Sequence, residues 1–204
     1  MQAYQHVNRM GNVYLLQSKS GNSSHFKYSF TRKLTGTPVE HLPEGYEARE
    51  NPDSAQVTLR RIRPSAIRDG ERLLLEKTIR AQTDGMLFIV DVEAKSLVVY
   101  TSDMAADVRL MALRDIFPME SVTAKQMVSG MLVNARYSKM LRFTLIDAKK
   151  RLFSMDRWCF LGSIDNWFYI EGAASLPTLA DKYVKHLGKE SFFDLMRGRT
   201  ENSD

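Results

Sequence analysis

The 204-residue chain carries 29 Lys and Arg against 24 Asp and Glu, a net charge of +5, and 44% of it is hydrophobic; this is the make-up of an ordinary globular chain, which excludes collagenous and low-complexity classes. Its longest apolar runs, such as Met86 to Val90, fall far short of the roughly 20 residues that cross a bilayer, so no membrane contact is expected. A polar first ten residues offer no secretory signal and the single cysteine, Cys159, can form no intramolecular disulfide, so the expected setting is reducing and cytoplasmic.

In chain order, a short polar start precedes a strand at Val13 to Gln17 and a loop, SKSGNSS, rich in turn formers. From His25 to Lys33 the residues alternate, with Phe26, Tyr28 and Phe30 on one face and His25, Lys27, Ser29 and Thr31 on the other. Thr35 to Pro43 reads as a loop, and GYEARE and AQVTLRRIR flank the turn NPDS as a hairpin. Four strands and no helix in this stretch predict a small β-rich module over residues 10–65. A helix is expected from about Arg68 to Gln82, where Ile67, Leu74 and Ala81 recur every seven residues and Glu71, Arg72, Glu76, Lys77 and Arg80 form a charged face. Met86 to Val92 and Leu97 to Thr101 then make a hairpin whose nearly continuous apolar character predicts strands covered on both sides.

Asp103 can cap a helix that Pro118 closes after Phe117, and Thr123 with Gln126 forms a capping box for another. The stretch from Met140 to Gly172 holds both tryptophans and the cysteine. Leu141, Phe143 and Leu145 alternate with Arg142 and Thr144, a basic turn follows at Ala148 to Lys150, and Leu152, Phe153 and Met155 resume the pattern. Gly162, Ser163, Asp165 and Asn166 read as a turn before a third strand, Trp167 to Ile170. Leu179, Tyr183 and Leu187 lie on one face of a covering helix bounded by Pro177 and Gly188, and Ser191 with Asp194 suggests a cap for a short last helix. The fold class is therefore α+β: a β-rich basic module (10–65), a sheet-and-helix domain (66–197) and a disordered polar tail (198–204).

LPEGYEAREN followed by QVTLRR, and RWCFLGSIDNW followed by KHLGKESFF, resemble segments of uncharacterised bacterial proteins over about half the chain. The resemblance implies a bacterial source and brings no activity, cofactor or site residue with it.

Histidines 6, 25, 41 and 186 offer no pair at metal-ligand spacing, and isolated glycines make no phosphate loop, so neither metal nor cofactor is expected. Asp91 and Glu93, two apart on one strand, read as a strand end entering solvent. One catalytic constellation has the right residue types: Cys159 as nucleophile, His186 as base and Asp165 or Asn166 orienting the imidazole, as in a hydrolase or transferase. Against it, Cys159 sits in an apolar WCFL run that would desolvate a thiol. Charge placement favours a binding role instead. Residues 1 to 68 contain ten Lys or Arg and five Asp or Glu while the remainder contains nineteen of each, so the whole excess of five lies in the first third. Lys27, Arg32, Lys33, Arg60, Arg61 and Arg63 cluster on or just past strands there, as residues that contact phosphates do. The expected partner is nucleic acid held through its backbone, or alternatively an acidic protein met by an interaction adaptor.

Overall fold

The computed structural model describes residues 2–20, 26–83, 85–102, 135–161 and 164–195. The helices expected over 103–117 and from Thr123, the turn at Gly162 and Ser163, His25 and the tail 198–204 lie outside these residues. The protein is α+β, with antiparallel sheets and two α-helices among the described residues. Those residues divide into two compact units, one reaching to Arg63 and the other starting at Pro64.

Among the described residues the first unit contains six strands: β1 (Gln5–Val7), β2 (Val13–Ser20), β3 (Phe26–Thr31), β4 (Thr37–Pro38), β5 (Tyr46–Glu50) and β6 (Val57–Arg61). Strands β1, β2 and β3 pair in that order, β4 adds to β2, and β5 with β6 forms a separate hairpin against which β3 lies. Hydrophobic alternation located β2, β3, β5 and β6. It missed β1 and β4, which are three and two residues long and too short to express a period.

Buried polar side chains hold the connections. Gln17, 1% exposed, accepts the backbone N–H groups of Thr35 (2.8 Å) and Gly36 (2.9 Å) through Oε1. A Cβ on Gly36 would stand 2.4 Å from the Ser18 carbonyl oxygen, so the loop approaches β2 as closely as only glycine permits. Asn8 donates to the Ala55 carbonyl at 2.7 Å, and the Arg9 guanidinium donates to Glu50 (2.7 Å) and to the Asn51 and Asp53 carbonyls, fastening the β1–β2 turn to the β5–β6 turn.

In the second unit α1 (Asp69–Gln82) precedes β7 (Phe88–Glu93), β8 (Ser96–Ser102), β9 (Tyr137–Asp147), β10 (Leu152–Leu161), β11 (Ile164–Ser175) and α2 (Leu176–Tyr183). The five strands form one antiparallel sheet in the order β11-β10-β9-β8-β7. One face presents Leu97, Val99, Leu141, Phe143, Phe153 and Met155 to Leu75 and Ile79 of α1 and to Leu179, Ala180 and Tyr183 of α2. Each such fully buried aliphatic side chain stabilises by about 1.5–3 kcal/mol relative to exposure. Periodicity in the two helices dictates this cover: Leu75 and Ile79 stand four apart, as do Leu179 and Tyr183.

Three local expectations are corrected. Asp165 and Asn166 are not turn residues; they pair with Phe160 and Cys159 inside β11. The helix expected to reach Leu187 leaves α geometry at Tyr183 and tightens into a 3-10 turn, Val184–His186, before Gly188 takes φ +73°. Finally, Ser191 caps no helix: it lies within a single 3-10 turn, Glu190–Phe192, and its hydroxyl bonds the His186 imidazole at Nδ1 (2.9 Å).

Candidate nucleic-acid interface

The pairing register of β2 with β3 sets the site. Leu15 faces Thr31, Gln17 faces Ser29 and Lys19 faces Lys27, so these six side chains share one face of the sheet, with Gln5 and Val7 of β1 and Val13 of β2 beside them. The opposite face takes the rings. Tyr14 is buried, Phe30 lies 6.2 Å from Tyr4 and 6.3 Å from His6, and Tyr28, 38% exposed, is in the same row. The alternation read from sequence in β3 thus separates a face that takes rings from one that takes Lys27, Ser29 and Thr31.

Lys19 and Lys27 are exposed and stand directly across from one another. Among the described residues neither ammonium meets a carboxylate. Like charges in directly opposed positions destabilise a strand pair, so this pair works against the fold of its own sheet. Sequence alone singled out Lys27 but not Lys19, because a cross-strand partner depends on register, and register is set by how two distant segments pair.

The other basic residues divide. Arg32 follows β3 with its guanidinium 5.7 Å from the Tyr14 ring centroid, on the aromatic side, while Lys33 is exposed one residue further on. Arg60 donates to the Glu47 carboxylate through Nε (2.9 Å) and Nη2 (2.6 Å) and has a local counter-ion. Arg61, the next residue on β6, points to the other side of that strand opposite Tyr46; it and Arg63 are exposed. Lys19, Lys27, Lys33, Arg61 and Arg63 are therefore the exposed cations here, with Arg32 partly engaged by a ring.

The residues weighed for catalysis are placed differently. Cys159, on β10, is 7% exposed and makes no hydrogen bond to His186, whose imidazole is bonded to Ser191. Asp165 is exposed and opposite Phe160. A groove of about 770 Å³ does run between α1 and α2, lined by Leu74, Thr78, Pro177, Thr178, Asp181, Lys182 and Lys185, but none of the three candidates borders it. Among the described residues no three His, Cys, Asp or Glu side chains gather as a metal ion requires, and no helix is long and apolar enough to cross a membrane.

A second cationic and aromatic grouping, on the sheet face away from α1 and α2, is already closed on itself. Trp158 and Trp167 meet edge to face at 5.0 Å, with Lys139 4.8 Å from one ring centroid and Arg142 4.6 Å from the other. Arg142 also holds the buried Asp156 at 3.1 Å. Rings and cations here satisfy one another, which suits a stabilising network on the sheet.

Comparison with known proteins returns no match, whether to a family model, a curated protein or a solved structure. Function rests on the geometry alone.

Proposed function

We propose that the protein is a non-catalytic binding protein whose N-terminal β-module holds nucleic acid through backbone phosphates. One observation carries this reading: Lys19 and Lys27 oppose each other across β2 and β3 with no carboxylate beside them among the described residues. Two ammonium groups held together repel, and an anion lying between them relieves the repulsion, so ligand binding gains what folding loses. Lys33, Arg61 and Arg63 add charge within the same unit, while the Arg32 guanidinium, held over the Tyr14 ring, belongs to the aromatic side. A cytoplasmic setting goes with this reading, since nucleic acid is met there and one cysteine calls for no oxidising compartment.

Fluorescence anisotropy with a mixed-sequence single-stranded oligonucleotide across a salt series tests it. For single strands the slope of log K against log salt is about −0.7 per phosphate neutralised, so three to five contacts give a slope of roughly −2 to −3.5. Absence of binding at about 20 mM salt and micromolar protein, where screening is weakest, rejects the proposal.

A further inference from the structure

We infer that this surface is blind to bases: its ligand is a chain of phosphates, engaged identically whether or not the chain carries nucleobases. The inference rests on the phosphate-binding reading above and specifies what the site recognises. Among the described residues, the face that bears Lys19 and Lys27 also takes Gln5, Val7, Val13, Leu15, Gln17, Ser29 and Thr31 from the register, and none of these is aromatic; His25 lies outside the described residues. Modules that read single-stranded bases stack them on exposed rings of the same surface that holds the backbone. Here Tyr14, Tyr28 and Phe30 project from the other face, and Phe30 meets Tyr4 at a tilt and His6 edge-on. Among the described residues that face carries the exposed Gln5, Val7 and Val13 at its far end and Gln17 buried beneath the Thr35–Gly36 loop, while nearer the two ammonium groups stand the half-buried hydroxyl residues Ser29 and Thr31, which suit phosphate oxygens. Of these, Thr31 already donates its hydroxyl to the Lys33 carbonyl at 3.0 Å, so the lysines carry the contact.

The arrangement also favours a chain over a compact anion. The lysines themselves are spread along the chain: Lys27 stands near the start of β3 and the exposed Lys33 lies two residues past its end, with the length of the strand between them. A lone phosphate engages one end of the strand at a time; successive phosphates of a polymer engage both, and the second contact is gained at the high effective concentration that linkage supplies.

The test uses the full chain and three probes: a labelled mixed-sequence oligonucleotide, a strand of the same length made wholly of abasic nucleotides, and a mononucleotide as competitor. The expected result is equal affinity for the two strands, within about twofold, with no displacement by millimolar mononucleotide, and a parallel loss for both strands in Lys19→Glu/Lys27→Glu. A tenfold or greater loss with the abasic strand, or a Tyr28→Ala variant that weakens only the base-bearing strand, overturns the inference and assigns recognition to the aromatic face while leaving phosphate binding in place. Displacement by the mononucleotide overturns the requirement for a chain. If neither strand binds, both this inference and the reading beneath it fail.

Discussion

At the scale of single residues, the informative feature is a pair of side chains whose placement costs stability. Cross-strand pairs of opposite charge contribute roughly 0.2–1 kcal/mol to a sheet and like charges act in the opposite sense, so Lys27→Glu, which turns the Lys19–Lys27 repulsion into attraction, should stabilise the first unit by about that amount. The same substitution should weaken oligonucleotide binding. Thermal unfolding and anisotropy on one variant check both, and a variant that loses binding because it is less stable contradicts the account. Gln17 makes the complementary point about legibility. Nothing in the alternation of β2 distinguishes it from a solvated glutamine, yet it is buried and fixes the Thr35–Gly36 loop. Sequence period reports which face a side chain takes; it does not report what the chain folds over that face.

Elements are joined by pairs that the sequence presents as surface charge. Glu71 belongs to the charged face of α1, and its carboxylate accepts the Arg68 backbone N–H at 2.8 Å, the reciprocal half of a capping box. It also binds Arg151, whose Nε lies 2.8 Å away and whose φ of +53° shapes the turn between β9 and β10. Burial raises the Glu71 pKa, but the Arg151 guanidinium and the Arg68 N–H outweigh it, so the group lies below its ordinary value of 4.5. Glu171 is likewise lowered, by Lys182 at 2.7 Å and by the Tyr183 hydroxyl, which ties α2 to β11. A carboxylate whose folded pKa is depressed contributes stability above its unfolded pKa and loses it as pH falls through the folded value. Unfolding free energy of the wild type should thus decline as pH drops below about 4.5, and Glu71→Gln should be less stable at pH 7 and show a shallower decline into acid; equal slopes for the two proteins would contradict this.

In this unit β9 and the start of β10 were legible as hydrophobic alternation and β7 and β8 as nearly continuous apolar runs, but the bulges were not legible at all. Val99 pairs with Leu141 and Tyr100 with Lys139, so Met140 is an extra residue that puts Lys139 on the face away from the helices. The joining of Asp165 and Asn166 to β11 was hidden for a different reason: two polar residues beside a glycine and a serine carry every local sign of a turn.

For the whole molecule, the question is whether binding follows total charge or its placement. The first 63 residues hold nine Lys or Arg and five Asp or Glu, so four of the five net positive charges belong to the first unit. This bias was plain from sequence. Which cations are exposed was not, because Arg60 and Arg9 are committed to Glu47 and Glu50 only once the β5–β6 hairpin has formed. Lys149 and Lys150, exposed at the β9–β10 turn of the second unit, provide a matched control: their backbone N–H groups bond Asp147, and their side chains are in neither the core nor an ion pair of the described residues. Lys19→Glu/Lys27→Glu and Lys149→Glu/Lys150→Glu each lower the net charge by four, from +5 to +1. A nonspecific attraction governed by net charge would weaken equally in both. A phosphate site on the sheet of the first unit predicts at least about a tenfold loss of affinity at about 100 mM salt for the first variant and less than about twofold for the second, because only the first removes a phosphate contact and a Debye length of about 10 Å screens exposed charges that make none. Two anisotropy titrations at about 20 mM and 100 mM salt decide it, and parallel losses in the two variants reject a localised site.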